Sequence, residues 1–180
     1  MKKLSRFIFT KLMGWKVIDH ATDIPKCVMA IAPHTSNHDF IVGKLAYSSL
    51  GRTANFLMKK EWFFFPFNLI FKSMGGIPVH RQKNNSMTDA MAAEFAKHDH
   101  LHLAITPEGT RKPVKKWKRG FYYIAMKAEV PIMLVALDYG KKEATVMDIF
   151  HPTGDYDADI VKIRAYYKDV TAKKPENFIP

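Results

Sequence analysis

Alternating strands and helices predict an α/β fold for this chain, a single domain over residues 1–180 with a mostly parallel central sheet flanked by helices. Three observations carry that expectation. Short apolar runs alternate with stretches whose apolar residues recur at helical spacing. The two most informative stretches, 33–39 and 107–111, closely follow apolar runs, where loops at the carboxyl ends of strands carry function. No repeat, low-complexity segment or long linker divides the 180 residues.

The elements follow in order. Leu4, Phe7, Ile8, Leu12 and Trp15 recur at helical spacing among Lys2, Lys3, Arg6, Lys11 and Lys16. Residues 1–15 are therefore expected to form a basic amphipathic helix, which either lies in a membrane interface or packs on the domain. Cys27–Ala32 reads as a buried strand that delivers His34 past its carboxyl end. Phe40–Leu50 reads as a helix stopped by Gly51, and Asn55–Met58 as a second strand. The run from Trp62 to Phe71 is either a core helix or, with Lys59, Lys60 and Lys72 at its ends, part of a bilayer interface or an acyl tunnel. Ser86 can cap a helix over Met87–Lys97 with the stripe Met87, Ala90, Met91 and Phe95. Leu101–Ile105 is a third strand, and it delivers Glu108. Phe121–Glu129 is helical, and Ile132–Asp138 pairs with Ala144–Ile149 across the turn from Tyr139 to Lys142. The last helix runs from Asp157 to Val170, with Ile160, Ile163 and Tyr167 on one side.

Composition narrows the function. A net charge of +11 implies an anionic partner: nucleic acid, an anionic membrane surface or phosphorylated substrates. Six cations fall between Arg111 and Arg119, but no recognisable nucleic-acid module accompanies them. They are read as attracting lipid headgroups and donor phosphates. No run reaches the ~20 apolar residues that a spanning helix needs. The N-terminus begins like a signal peptide, yet Lys11 and Lys16 interrupt it and no small-residue cleavage site follows, so a cytoplasmic protein is expected. Cys27 is the single cysteine, which excludes an intramolecular disulfide. Inside an apolar strand its thiol is expected to be inert.

His34 and Asp39 carry the chemistry. An alcohol attacks poorly at neutral pH because it holds its proton, and a histidine can accept that proton as the oxygen attacks. A carboxylate on the other ring nitrogen fixes the tautomer and stabilises the imidazolium. Asp39, five residues on, can do so if the chain turns into a helix between them, and Ser36 and Asn37 suit that turn. The plainer reading is a helix-capping loop. No Gly-x-Ser-x-Gly elbow offers a covalent nucleophile. In Glu108-Gly109-Thr110-Arg111, the glycine lets backbone N–H groups approach an anion and the arginine offers paired donors to phosphate. Arg81, after Gly75-Gly76-Ile77-Pro78, can add a second cation on a stiff turn; the alternative for both is a surface turn. His38 is expected to face solvent at a helix start rather than bind metal, and His98, His100 and His102 are likewise not read as a metal site.

Taken together and in this order, these stretches resemble the glycerophospholipid acyltransferases, the PlsC-like family whose best-known members are 1-acylglycerol-3-phosphate acyltransferases. His34, Ser36 and Asp39 match the His-x4-Asp motif. Gly75–Arg81 is similar to the second motif, Pro107–Arg111 to the Pro-Glu-Gly-Thr-Arg motif, Lys118-Arg119-Gly120 to a basic element after it, and Val130–Val135 to a fourth motif. Pro33 and Pro78 depart from the usual residues.

The resemblance implies a glycerol-3-phosphate acyltransferase-like fold. It implies an O-acyltransferase of phospholipid synthesis with no covalent acyl-enzyme, no metal and no organic cofactor. His34 would deprotonate the acceptor hydroxyl with Asp39 orienting it, and the oxygen would attack an acyl thioester on coenzyme A or acyl carrier protein. Arg81, Glu108, Gly109, Thr110, Arg111 and Lys118 would bind the substrate. The implied acceptor is a lysophospholipid such as 1-acylglycerol-3-phosphate, with lyso-ornithine lipid as an alternative, and the implied place is the inner face of the cell membrane. A non-catalytic lipid-binding protein of this fold is the rival reading.

Overall fold

A computed structural model describes residues 2–20, 24–79 and 87–180. Its strands are Lys16–Asp19 (β1), Lys26–Ala32 (β2), Asn55–Lys59 (β3), Gly76–Val79 (β4), Leu101–Ile105 (β5), Ile132–Asp138 (β6) and Glu143–Phe150 (β7). They form one sheet in the order β1-β7-β6-β2-β5-β3-β4. The strands from β6 to β4 run parallel, while β7 returns antiparallel to β6 and β1 pairs parallel with β7. The expected class, a single α/β domain with a mostly parallel sheet and flanking helices, is the observed one.

The centre of the sheet explains itself from sequence. A parallel strand covered on both faces must be apolar at consecutive positions. In β2, Cys27, Val28, Met29 and Ala30 are all buried, and every residue of β6 is buried. Cys27 and Met29 turn to one face and pack with Tyr47, Met133 and Val135. Val28, Ala30 and Ala32 turn to the other and pack with Met91, Phe95, Phe121, Tyr122 and Tyr167. The helices are Lys2–Phe7 (α1), His38–Ser49 (α2), Phe67–Ser73 (α3), Met87–Ala96 (α4), Gly120–Ala128 (α5) and Tyr156–Ala165 (α6). Thus α2 covers the first face, and residues of α4, α5 and α6 join the second cluster. Gly51, at φ +86°, follows α2 in the left-handed conformation that ends helices. Asp155 caps α6 by accepting from the backbone N–H groups of Asp157 and Ala158.

Several details differ from the sequence reading. The N-terminal stretch is a short α-helix that widens into a π-helical turn over Ile8–Leu12. Its expected single stripe is divided: Phe9 and Trp15 are buried against Val42, Ala46 and Leu137, while Leu4, Phe7 and Leu12 face outward. Trp62–Phe71 is not a core helix. A 3-10 turn over Lys60–Trp62 and then α3 leave Trp62, Phe64, Phe65, Phe67, Leu69 and Ile70 exposed, Phe65 by 79%. β1 and β4 are strands the sequence reading passed over, because four residues are too few to show a period of two. The stiff turn expected at Gly75–Arg81 is partly β4, paired with β3. Ala90, expected in the α4 stripe, is exposed, and α6 stops at Ala165 rather than Val170. Ser86 and Arg81 lie outside the described residues.

Candidate active site

The site gathers where adjacent parallel strands end. β6, β2 and β5 are neighbours in the sheet, so their carboxyl ends bring Tyr139, His34 and Glu108 to one place. The loop after β2 turns at once into α2, whose first turn holds Asp39. From there Asp39 reaches back along its own loop. Its Oδ2 accepts the backbone N–H groups of Thr35 and Ser36, each at 2.8 Å, and lies 3.2 Å from His34 Nδ1. This is why a five-residue spacing works: the helix start folds the loop around the carboxylate.

The Nδ1–Oδ2 approach is an ion-pair distance rather than a well-aligned hydrogen bond, and Nδ1 has no other partner among the described residues. Such contacts are often long in a free enzyme and tighten with substrate. With Nδ1 turned to Asp39, Nε2 is the ring nitrogen on the other side. Burial pushes the Asp39 carboxyl up, but bonds from His34, Tyr139, Ser36 and Thr35 outweigh it and hold it below the usual carboxylate range. Asp39 is thus held ionised beside His34.

Glu108 occupies a different position from the one expected of a phosphate ligand. It is only 5% exposed, and its Oε1 accepts the backbone N–H of His34 at 2.8 Å. Its Oε2 is buried without a partner among the described residues, and burial pushes its carboxyl up. Glu108 therefore fixes the backbone that carries the histidine. Gly109 adopts φ +65° and its N–H donates to Thr106 O. A Cβ there would meet Lys118 Cγ at 2.9 Å, so the glycine lets the Lys118 stem lie across the turn. The Lys118 N–H donates to Pro107 O at 2.7 Å, tying the basic loop to the same turn. Thr110 accepts from the Lys112 N–H. Arg111 is exposed and lines the same cavity as His34.

That cavity has a volume of about 790 Å³ and runs between α2 and the sheet. His34, Asp39, Thr106 and Arg111 stand among its lining residues, but most of the others, such as Met29, Leu50 and Val135, are apolar. Its size is typical of a small-molecule site. Lys44 also lines it, donating to Ala54 O and Met74 O, and burial pushes its ammonium down. Phe71 and Met74 line it too, so the exposed aromatic segment adjoins the cavity.

Of the residues singled out in the sequence, the structure brings together His34, Asp39, Glu108, Gly109, Arg111 and Lys118, and Thr110 lies in the same loop. His38 is exposed at the start of α2, its Nδ1 in contact with the Lys173 ammonium. His98 pairs with Glu94, whereas His102 is buried in β5 with Tyr47 and Ile24 O. No group of three or more metal-binding side chains occurs among the described residues. Sequence reasoning missed Tyr139, whose hydroxyl donates to Asp39 Oδ1 at 2.7 Å. Its place just after a strand's carboxyl end was the available signal.

A histidine–carboxylate pair thus lines a mostly apolar cavity on a largely parallel sheet. Residues 18–138 match the family model Acyltransferase, and the chain belongs to that acyltransferase family. No curated protein matches it. Among solved structures it is similar to the 1-acyl-sn-glycerophosphate (LPA) acyltransferase PlsC from Thermotoga maritima, with TM-score 0.63 and 19% identity over 92% of this chain and 74% of that one. The protein has the PlsC fold.

Proposed function

We propose that this acyltransferase moves a fatty acyl group from a thioester, on coenzyme A or acyl carrier protein, to the hydroxyl of a lysophospholipid-type acceptor, and that 1-acylglycerol-3-phosphate is that acceptor. The observation that carries the reading is His34, oriented by Asp39, at the wall of the 790 Å³ apolar cavity that Arg111 also lines. An acyl chain would gain about 0.8 kcal/mol for each CH₂ buried there. His34 Nε2 would take the acceptor's proton as its oxygen attacks the thioester carbonyl, and the imidazolium would return the proton to the departing sulfur. Arg111 and Lys118, whose stem crosses the turn at Gly109, would hold the acceptor's phosphate, with Arg81 added from the sequence motif. Glu108 would act from behind, through the His34 backbone. No metal or organic cofactor enters this scheme.

The test of the acceptor is a direct comparison. Lysophosphatidic acid should be used with a lower KM than an uncharged monoacylglycerol; equal use of both would remove the phosphate site. Lyso-ornithine lipid is the next acceptor to try, because an arginine can also hold its carboxylate.

The reading includes work at the inner face of the cell membrane. No helix among the described residues is long and apolar enough to cross a bilayer. Leu4, Phe7 and Leu12 on one stretch and Trp62, Phe65 and Leu69 on another are exposed beside lysines and arginines, the pattern of a segment lying in an interface. Each nearby cation can add ~1 kcal/mol on an anionic surface, less as salt rises. Deleting residues 1–15 should weaken sedimentation with anionic liposomes more than turnover of a detergent-dispersed acceptor. Since Phe9 and Trp15 are core residues, Leu4→Gln with Phe7→Gln tests the same point without disturbing packing. Unchanged liposome binding in that variant would leave the stretch purely structural.

Cys27 is fully buried in β2. Cys27→Ser should keep the chemistry, read as turnover of a folded protein. A folded Cys27→Ser protein without turnover would point to an acyl-cysteine intermediate.

A further inference from the structure

We propose that Tyr139 is a positioning residue of the His34–Asp39 pair, holding the carboxylate oriented and ionised through its second oxygen. The proposal rests on the general-base reading above. The two oxygens of Asp39 have separate surroundings. Oδ2 takes the Thr35 and Ser36 N–H groups and faces His34, whereas Oδ1 takes the Tyr139 hydroxyl at 2.7 Å. The two N–H groups anchor Oδ2, and the Tyr139 hydroxyl anchors Oδ1, so together they fix the plane of the carboxylate and the line from Oδ2 to Nδ1.

Tyr139 is itself held from three sides. Trp15 meets its ring edge-on, with centroids 4.9 Å apart at 89°. The Lys173 ammonium sits over the ring at 5.7 Å. The Tyr139 N–H donates to Thr171 O at 2.8 Å. The same C-terminal stretch bonds the catalytic loop directly, since the Lys174 N–H donates to Thr35 Oγ1. Segments near residues 15, 139 and 171–174 thus converge on one carboxylate. A phenylalanine would serve the packing equally well, so only the hydroxyl bond to Asp39 accounts for a tyrosine. Tyr139 lies one residue beyond the stretch matched by the family model. The charged and titratable groups around the pair are His34, Glu108, Tyr139, His38 and Lys173, while neighbouring Asp138 is engaged with Lys141 on the turn.

Tyr139→Phe is the test, read in two ways. The kcat should fall on the order of tenfold, the size expected when a hydrogen bond to a charged group is lost, while the KM values of donor and acceptor stay as they were. The second reading needs no substrate. The folded Asp39 carboxyl is held low, so its contribution to stability is present above the ordinary carboxylate pKa and is lost as pH falls through the folded value. The Tyr139 bond is part of that contribution. The Tm deficit of Tyr139→Phe should therefore shrink as pH is lowered from about 7 through the acid range below the ordinary carboxylate pKa. A wild-type kcat, or a Tm deficit that stays unchanged over a pH series carried down to the wild type's own acid unfolding, overturns the proposal. If His34→Ala is inactive while Tyr139→Phe matches wild type, only this inference fails; if His34→Ala turns over normally, the general-base reading fails with it.

Discussion

His34→Ala is expected to lower turnover by about 10²–10⁴-fold, the usual contribution of a positioned general base, with little change in Tm. The side chain is partly exposed and its backbone N–H, which Glu108 holds, survives the substitution. Donor and acceptor KM should change little, because the imidazole acts on a proton in flight rather than on the bound ground state. Asp39→Asn should be nearly as inactive but for a mixed reason. Asp39 accepts three hydrogen bonds and faces His34 Nδ1, and an amide offers one oxygen and one NH₂ group to the same surroundings. The NH₂ must then face a donor or the wrong tautomer of His34. Asp39→Asn should consequently lose ~1–3 kcal/mol of stability as well as activity, whereas His34→Ala should lose activity alone. Calorimetry beside initial rates separates the two. His34→Ala at near-normal turnover would eliminate the mechanism.

Arg111→Ala should raise the KM for lysophosphatidic acid roughly ten- to a hundredfold, as a charge-assisted contact worth ~1.5–3 kcal/mol is removed. Arg111 is exposed, so added salt should narrow the gap between wild type and variant. The donor KM should move less. Arg111→Lys should rescue in part, because an ammonium keeps the charge but lacks the planar fork. Arg81→Ala carries the same expectation on sequence grounds. If both variants handled lysophosphatidic acid and a monoacylglycerol equally, the phosphate site would be misplaced while the acyltransferase family would stand.

The central sheet was legible because burial on both faces leaves a plain trace: Cys27–Ala32 and Ile132–Leu137 are continuous apolar runs, Leu101–Ile105 is broken only by His102, and each lies in a strand. His34 and Asp39 were legible because their partnership is local, closed by five residues and a helix start. Tyr139 was not, since its bond to Asp39 spans 100 residues and depends on β6 lying beside β2. The inward role of Glu108 was hidden for the same reason: a motif names the residue but not the direction of its side chain, and only the pairing of β2 with β5 points it at the His34 N–H. The N-terminal stripe misled because helical spacing assumes one unbroken helix: Phe9 is buried within the π-helical turn, Trp15 is buried beyond the helix end, and Leu4, Phe7 and Leu12 stay out. The aromatic segment misled because hydrophobicity alone equates with core, whereas here it forms an exposed rim beside the cavity.

Direct transfer at this site is tested by one time course: purified protein, a single acyl thioester and lysophosphatidic acid, with lipids, carrier and intact protein followed by mass spectrometry. The expected result is diacyl product and free thiol carrier appearing in equal amounts, with the protein mass unchanged throughout and no product from His34→Ala. Thioester consumed to free fatty acid without acylated lipid, or an acyl adduct on the protein that decays as product forms, would contradict direct attack by the acceptor hydroxyl.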